Sequence, residues 1–188
     1  MFGGLMLIGV LAVTGSARGE TSLISAVLFL LGVGMAGVAV MGRLWCSLYI
    51  SGYKNETLIT LGPYSICRNP LYFFSLIGAV GVGFATETLT LPAVILVGFA
   101  LYYPFVIRRE ERLLRERHGE SYAAYCREVP RFFPAVSRLR EPETHVVIPA
   151  VMKRRLWDSF WFIGALGILE LMEGLHEGGF LPVWFRLY

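Results

Sequence analysis

The chain has 188 residues, of which 55% are hydrophobic and 16% are charged, and its formal net charge is +3. A charged fraction well below the roughly 25% of soluble domains argues against a single soluble core and favours an integral membrane protein, with residues 1–188 forming one domain. The three cysteines have no CxxC spacing, which argues against both a disulfide framework and a cysteine-based zinc site.

The apolar runs predict an all-α membrane bundle with about five membrane segments. In chain order these are Met1–Val13, Leu23–Met41, Pro70–Ala85, Leu89–Ile107 and Leu156–Leu175. The first is short for a hydrocarbon core of about 30 Å and is either a short spanning helix or half of a hairpin. The last carries acidic residues and either spans or lies in the interface, and spanning is favoured. Glycines in the second segment predict close approach of a neighbouring helix: Gly32, Gly34 and Gly37.

Polar stretches separate these segments. Arg43–Arg68 is read as a polar connection, and Thr86–Thr88 as the turn of a hairpin whose two flanks carry positive charge. Arg108–His118 is a charged helical continuation that Gly119 should end. Three stretches complete the chain: an amphiphilic tail at Tyr122–Arg140, a linker at Glu141–Pro149, and a C-terminal extension over residues 141–188.

Positive charge is concentrated after the hairpin. Of the 17 Lys and Arg residues, 12 lie between Arg108 and Arg155, where there are seven acids. The positive-inside rule places this stretch in the cytosol, and bilayer topology accounts for the charge without a nucleic-acid partner. We therefore expect a multi-pass protein of a bacterial or archaeal inner membrane, with membrane lipids around it.

A polar hinge precedes the hairpin. Gly62-Pro63 is a turn dipeptide, and Asn69-Pro70 is typical of a helix start because Asn is a preferred N-cap and Pro is favoured at the first helical position. The free backbone N–H groups of that helix would lie beside Arg68. This combination predicts a site for an anionic group at the membrane surface.

The hairpin should bring three polar clusters together, because antiparallel helices place their cytosolic ends side by side. They are residues 62–72, residues 108–111 and residues 122–134. A pocket with a guanidinium, a helix N-terminus, carboxylates and tyrosines suits a zwitterionic ligand, and S-adenosylmethionine fits that description. Composition alone does not choose it.

The series of motifs resembles the isoprenylcysteine carboxyl methyltransferase family and its phospholipid methyltransferase relatives over roughly residues 57–134. It comprises Gly62-Pro63-Tyr64, Arg68-Asn69-Pro70-Leu71-Tyr72, Glu110-Glu111 with Leu114 and Gly119, Tyr122, Tyr125, and Val129-Pro130-Arg131-Phe132-Phe133-Pro134. The resemblance implies an S-adenosylmethionine-dependent membrane methyltransferase whose cofactor enters from the cytosol and whose lipophilic substrate enters from the bilayer. The cofactor residues it implies are Gly62, Pro63, Tyr64, Arg68, Asn69, Pro70, Tyr72, Glu110, Glu111 and Tyr122.

Two positions depart from the family pattern. Asn69 stands where the family often has His, which keeps a helix cap but removes a titratable group. Glu128 stands where eukaryotic members have Arg, and Arg131 is the residue expected to take over that role.

Methyl transfer needs alignment and exclusion of water, and we expect no metal. A carboxylate acceptor would need a cationic guide, for which Arg131 is the candidate with Arg108 or Arg109 behind it. An amine acceptor would instead need a proton acceptor, for which Glu111 is the candidate. A lipophilic thioether carboxylate or a similar small hydrophobic molecule is the leading acceptor, and a phospholipid amine is the alternative. An NADPH-dependent membrane reductase and a non-enzymatic scaffold are the other classes left open.

Overall fold

The computed structural model describes residues 14–16, 23–51, 57–178 and 185–187. Helices account for most of them. The elements are β1 (Thr14–Ser16), α1 (Leu23–Ile50), α2 (Pro63–Ile66), α3 (Pro70–Phe84), α4 (Thr90–Glu128), a 3-10 turn (Val136–Arg138), α5 (Pro149–Glu177) and β2 (Phe185–Leu187). The strands pair in parallel, with Thr14 opposite Phe185. The all-helical prediction omitted this short pair, and the predicted segment Met1–Val13 lies outside the described residues.

Helices α1 and α4 are long and apolar enough to cross a membrane, and within the described residues no other helix meets that test. Helix α3 is apolar but has only 15 residues, or about 22 Å at 1.5 Å per residue. Of the predicted spans inside the described residues, two are thus supported by length and composition. Leu156–Leu175 is helical as part of α5, which begins earlier, at Pro149.

Helix boundaries follow local chemistry where that chemistry is strong. Helix α3 begins at Pro70, as predicted. The backbone N–H of a residue in the first helical turn has no partner within the helix, so Pro, which has no N–H, is favoured there. Gly119 has φ 50° and ψ −123° inside α4 and breaks its helical geometry, which confirms the predicted stop. The predicted polar connection Arg43–Arg68 begins too early, since α1 continues to Ile50.

The chain divides into two compact units, and the first contains the described residues of Met1–Val38, Ile77–Val97 and Phe160–Tyr188. Its core is apolar: Val82, Ala85, Leu91, Ala165 and Leu169. Helices α1 and α3 touch here through their backbones. A Cβ on Gly32 would lie 2.5 Å from both the Ala85 nitrogen and the Gly81 oxygen, whereas one on Gly34 or Gly37 would meet nothing within 4 Å. Of the three predicted packing glycines, Gly32 alone makes a close approach.

The second unit comprises Ala39–Leu76 and Gly98–Ser159. Its core is built on the end of α4, where Tyr122, Tyr125 and Val129 pack together with Leu58 and Leu114 beside them. This unit contains all three of the polar clusters predicted to converge.

Candidate functional site

Two polar loops of the second unit are joined to each other by hydrogen bonds. One runs from Gly62 to Asn69, before α3, and the other follows α4, from Val129 to Arg140. The backbone bonds between them are Gly62 N to Arg140 O at 2.8 Å, Arg68 N to Pro130 O at 2.9 Å, and Ala135 N to Ile66 O at 2.9 Å. Side chains add Arg140 N to Ser65 Oγ at 2.9 Å and Tyr125 Oη to Tyr64 O at 2.7 Å. Segments 61 to 75 residues apart in the sequence thus form one platform.

Gly62 is required by the geometry of this platform. Its φ of +59° lies in the region that side chains disfavour. A Cβ at this position would also lie 2.3 Å from the ring of Tyr49. The Tyr49 ring in turn stacks on His145, with centroids 4.6 Å apart. The glycine therefore lets α1 support the loop directly.

Glu111 is the centre of an ionic cluster. Its Oε2 lies 2.7 Å from Arg131 Nη2, and its Oε1 lies 3.5 Å from Arg68 Nη1. Asn69 Nδ2 donates to Arg131 O at 2.9 Å and to Glu111 Oε1 at 3.4 Å. The Glu111 side chain is only 15% exposed. One carboxylate therefore holds two guanidinium groups from two different loops.

The electrostatics keep this cluster cationic. Burial lowers the pKa of Arg68, but the Glu111 carboxylate and Cys126 outweigh it and the pKa ends above its ordinary value. Arg68 Nε is buried and makes no hydrogen bond within the described part of the chain.

Cys67 also joins the two loops of this platform. Burial raises the pKa of its thiol to about 11. The thiol is therefore protonated at neutral pH, and its sulfur donates to Phe132 O at 2.9 Å. This contact is structural, because the proton that makes it is the one a reactive thiolate would have lost.

A cavity of about 490 Å³ opens between the platform and α4. Its walls combine three charged side chains with tyrosines and aliphatic groups. They are Ile50, Thr57, Leu58, Ile59, Tyr64, Arg68, Asn69, Pro70, Leu71, Tyr72, Glu110, Leu113, Leu114, Arg117 and Tyr125. The first residues of α3 thus form part of the wall, as the predicted anion site required. The Tyr72 hydroxyl hydrogen-bonds with Glu110.

The predicted site residues fall into three groups. Those that line the cavity are Tyr64, Arg68, Asn69, Pro70, Tyr72 and Glu110. Those that support it from outside the lining are Gly62, Pro63, Glu111, Arg131 and Tyr122, the last only 1% exposed. Arg108 is in neither group: it is exposed on α4, and its guanidinium lies 5.8 Å from the centre of the Phe105 ring.

The adjacent residues Glu110 and Glu111 have different environments. Successive residues on a helix are turned by about 100°, so both cannot face the same space. Glu110 lines the cavity, whereas Glu111 is held by the two arginines. The sequence pattern treated them as a pair, and the structure separates them.

Arg117 lines the cavity and was not predicted to do so. A signal for it exists in the sequence, because Arg117 is seven residues after Glu110 and residues seven apart share one face of a helix. Leu113 and Leu114 lie between them on the same face.

Among the described residues, no three His, Cys, Asp or Glu side chains are grouped so as to hold a metal ion.

Comparison with known proteins identifies a family and two relatives. A family model described as phospholipid methyltransferase matches residues 21–121. A cobalt-zinc-cadmium resistance protein, CzcN, of Cupriavidus metallidurans is 44% identical over 167 residues, which are 89% of this chain and 77% of that protein. A nickel-cobalt-cadmium resistance protein, NccN, of Alcaligenes xylosoxydans xylosoxydans is 44% identical over 177 residues, which are 93% of this chain and 82% of that protein. No solved structure matches the chain.

Proposed function

The chain belongs to the phospholipid methyltransferase family, and from this premise we propose that it is an integral membrane methyltransferase that uses S-adenosylmethionine. The observation that carries the proposal is the cavity in the second unit. Its volume of about 490 Å³ falls within the roughly 300–1,000 Å³ usual for small-molecule sites. Its lining carries charges of both signs, which suits a ligand that is itself zwitterionic.

The residues present fit the cofactor. Arg68 lines the cavity with its charge retained, and the first turn of α3 lies beside it in the wall, so a carboxylate is favoured there. Glu110 and the tyrosine faces suit the ammonium, the sulfonium and the ribose hydroxyls. When bound, the cofactor supplies a methyl group on a sulfonium, activated towards a nucleophile.

The protein's contribution is then placement. Glu111 fixes the positions of Arg68 and Arg131, and Asn69 ties the same carboxylate to the loop after α4. These contacts join the wall of the cavity to the loop after α4. They would keep the acceptor and the methyl group in a fixed position relative to each other. We assign Glu111 a positioning role in this scheme, and Glu110 a contact with the cofactor.

The acceptor is proposed to be a lipophilic molecule that reaches the site from the bilayer. A carboxylate acceptor would be guided by Arg131, whose side chain is 41% exposed and so remains reachable. An amine acceptor, as in phospholipid N-methylation, would instead have to draw Glu111 away from its two arginines to use it as a base. The geometry therefore favours a carboxylate or another acceptor that needs no base.

The cytosolic orientation of the site is part of the proposal. Between Arg108 and Arg155 the chain carries 12 of its 17 Lys and Arg residues, and such stretches stay on the cytosolic side of a membrane. The cavity is lined from this stretch by Glu110, Leu113, Leu114, Arg117 and Tyr125. The cofactor would thus be drawn from the cytosol.

The test is calorimetric binding of S-adenosylhomocysteine to the detergent-purified protein. We expect measurable binding that Arg68→Ala weakens by tenfold or more, because a charge-assisted hydrogen bond contributes about 1.5–3 kcal/mol. Arg112→Ala, an exposed arginine on the same helix as Glu110, is the matched control and should bind like wild type. Absence of binding to folded wild-type protein, or binding of NADPH in its place, would refute the proposal.

A cellular role follows from the relatives' names. Both relatives are named as metal resistance proteins, and we propose that methylation by this chain serves growth under the same metals. In a deletion strain exposed to cobalt, zinc or cadmium salts, the wild-type gene should restore growth and the Arg68→Ala gene should not. Equal rescue by both genes would show that metal resistance does not depend on the cofactor site.

A further inference from the structure

The loop after α4 turns back towards the apolar part of that helix. In this loop the ring of Phe132 packs against the ring of Phe99 on α4, with centroids 5.8 Å apart. Phe99 lies nine residues before Arg108, the first charged residue of α4. Nine helical residues span about 13.5 Å. The loop therefore reaches the level of the apolar stretch that makes α4 long and apolar enough to cross a membrane.

Helix α3 places the loop at the same level. This helix is apolar from its first turn, where the ring of Phe73 makes an edge contact with the ring of Phe132 at 5.8 Å. One residue earlier in the loop, the backbone oxygen of Arg131 accepts a hydrogen bond from Asn69 Nδ2, directly before α3. Phe132 thus lies where the polar platform ends and the apolar helices begin. In a membrane protein this boundary marks the membrane–water interface.

The residues that follow, 133–139, expose apolar side chains at this boundary. Phe133 is 78% exposed, Val136 is 69% exposed and Leu139 is 43% exposed. The same seven residues include one cation, Arg138, and no acid. Apolar side chains next to a cation are typical of segments that lie in the interface of a membrane.

The backbone of segment 133–139 is fixed to the platform. Ala135 N donates to Ile66 O at 2.9 Å, and a 3-10 turn follows directly. Immediately after the segment, the backbone oxygen of Arg140 accepts from Gly62 N at 2.8 Å. The apolar side chains therefore project from a folded backbone that is held on both sides of the turn. A fixed and exposed apolar surface of this kind indicates that something apolar covers it.

The charge of the segment indicates which apolar partner this is. Arg140 forms an ion pair with Glu128 at 3.1 Å. Arg138 is also exposed, but it takes part in none of the ion pairs found within the described ranges of the chain. A phospholipid matches both features, because its acyl chains suit the apolar side chains and its phosphate suits a guanidinium.

We propose that segment 133–139 inserts into the membrane–water interface, with its three exposed apolar side chains among the acyl chains and Arg138 beside the phosphate of an anionic lipid. The inference goes beyond the proposed function and does not depend on which cofactor the cavity binds. The segment begins two residues after Arg131, the residue proposed to guide the acceptor. A lipophilic molecule leaving the bilayer for the site would then pass along this segment.

The experiment is photo-crosslinking of the full chain in nanodiscs made of equal parts of phosphatidylcholine and phosphatidylglycerol. The photoreactive amino acid p-benzoylphenylalanine is introduced at Phe133 in one protein and at Val136 in another, and mass spectrometry identifies what each position captures. Leu101, which is 68% exposed on the apolar part of α4, is the positive control. Glu116, exposed on the charged part of α4, is the negative control.

We expect lipid adducts at positions 133 and 136, as at Leu101, and a loss of these adducts at Glu116. The two positions test the inference independently, so poor folding of one protein leaves the other as a test. The inference fails if neither position captures lipid more often than Glu116 does. It also fails if both positions capture a second copy of the chain instead of lipid.

The two lipids then test the role of Arg138. At position 136 we expect phosphatidylglycerol to be captured about fivefold more often than phosphatidylcholine, because one arginine near an anionic surface contributes about that factor. Arg138→Gln should remove this preference. Arg140→Gln is the matched control and should keep it, since the Arg140 side chain is paired with Glu128. Equal capture of the two lipids by the chain with Arg138, or a preference that survives Arg138→Gln, would refute the phosphate contact.

Discussion

The two units of the chain are stabilised in different ways. In the first, helices meet backbone to backbone at Gly32, and the core residues are aliphatic. In the second, loops distant in sequence are joined by hydrogen bonds and by the ion pairs of Glu111. The first kind of contact depends on shape and leaves no space, whereas the second leaves a polar cavity. Substitutions in the first unit should therefore lower the stability of the fold. In the second unit, some substitutions should lower stability and others should lower ligand affinity alone.

The largest effect is expected at Gly32. Gly32→Val would place a side chain 2.5 Å from backbone atoms of Ala85 and Gly81, which cannot move aside as a side chain can. Overpacking typically costs about 1–3 kcal/mol, and we expect the upper end of that range because backbone atoms are the ones displaced. Thermal unfolding in detergent should show a strong loss of stability, or no folded protein. Gly34→Val on the same helix is the control, because a Cβ there meets nothing within 4 Å; equal damage from both would mean that close packing is not the cause.

A smaller loss of stability is expected for Glu111→Gln. It leaves Arg68 and Arg131 facing each other without their shared carboxylate. Because Arg131 is 41% exposed and screened by water, we expect a cost of about 2 kcal/mol, seen as a fall of roughly 5 °C in the unfolding midpoint. Glu116→Gln, an exposed acid on the same helix, should change little. An unchanged midpoint in Glu111→Gln would show that the cluster does not stabilise the platform.

The neighbouring substitution, Glu110→Gln, should have the opposite profile. Glu110 is the acidic residue among those that line the cavity. We therefore expect its replacement to lower the affinity for S-adenosylhomocysteine by about tenfold. The free energy of unfolding should change by no more than about 0.5 kcal/mol. Calorimetry and thermal unfolding on the same preparations compare the two. Matching effects of Glu110→Gln and Glu111→Gln would contradict the separation of their roles.

The smallest effect is a difference in thiol reactivity. Burial raises the pKa of Cys67 to about 11, so its thiol stays neutral in the folded state well above the ordinary value of about 8.5. The unfolded chain loses that proton first, so the contribution of Cys67 to stability is present below about pH 8.5 and declines as the pH rises towards 11. At pH 8, iodoacetamide should label the partly exposed Cys126 well before the buried Cys67, as read by peptide mass spectrometry. Rapid labelling of Cys67 in folded protein would disprove its buried, protonated state.

Much of the site was predictable because its signals are local or periodic. Pro70 starts a helix and Gly119 breaks one by the properties of their own backbones. The tyrosine, arginine and asparagine of the hinge motif line the cavity as the family resemblance led us to expect. Arg117 was missed, although its spacing from Glu110 would have placed it on the same face. The role of Arg108 stays a prediction, and the structure gives it an exposed position over Phe105.

Other features had no signal in the sequence. Nothing local distinguishes Glu110 from Glu111, because which carboxylate faces the cavity depends on the rotation of α4 against the loops. Nothing local distinguishes Gly32 from Gly34 either, since the close contact depends on where another helix passes. Arg43 was assigned to a connection, because the end of an apolar run is a poor guide to the end of a helix.

The sequence by itself determined the membrane character of the chain, the start of α3, the break at Gly119 and the family, because these depend on composition, on single backbones and on motif order. Tertiary structure alone decided that Glu111 binds two arginines, that Glu110 faces the cavity, and that Arg43 donates to the Ser75 hydroxyl on another helix. These contacts join residues tens of positions apart. Their geometry is set by how helices rotate and cross, which is an outcome of packing the whole chain.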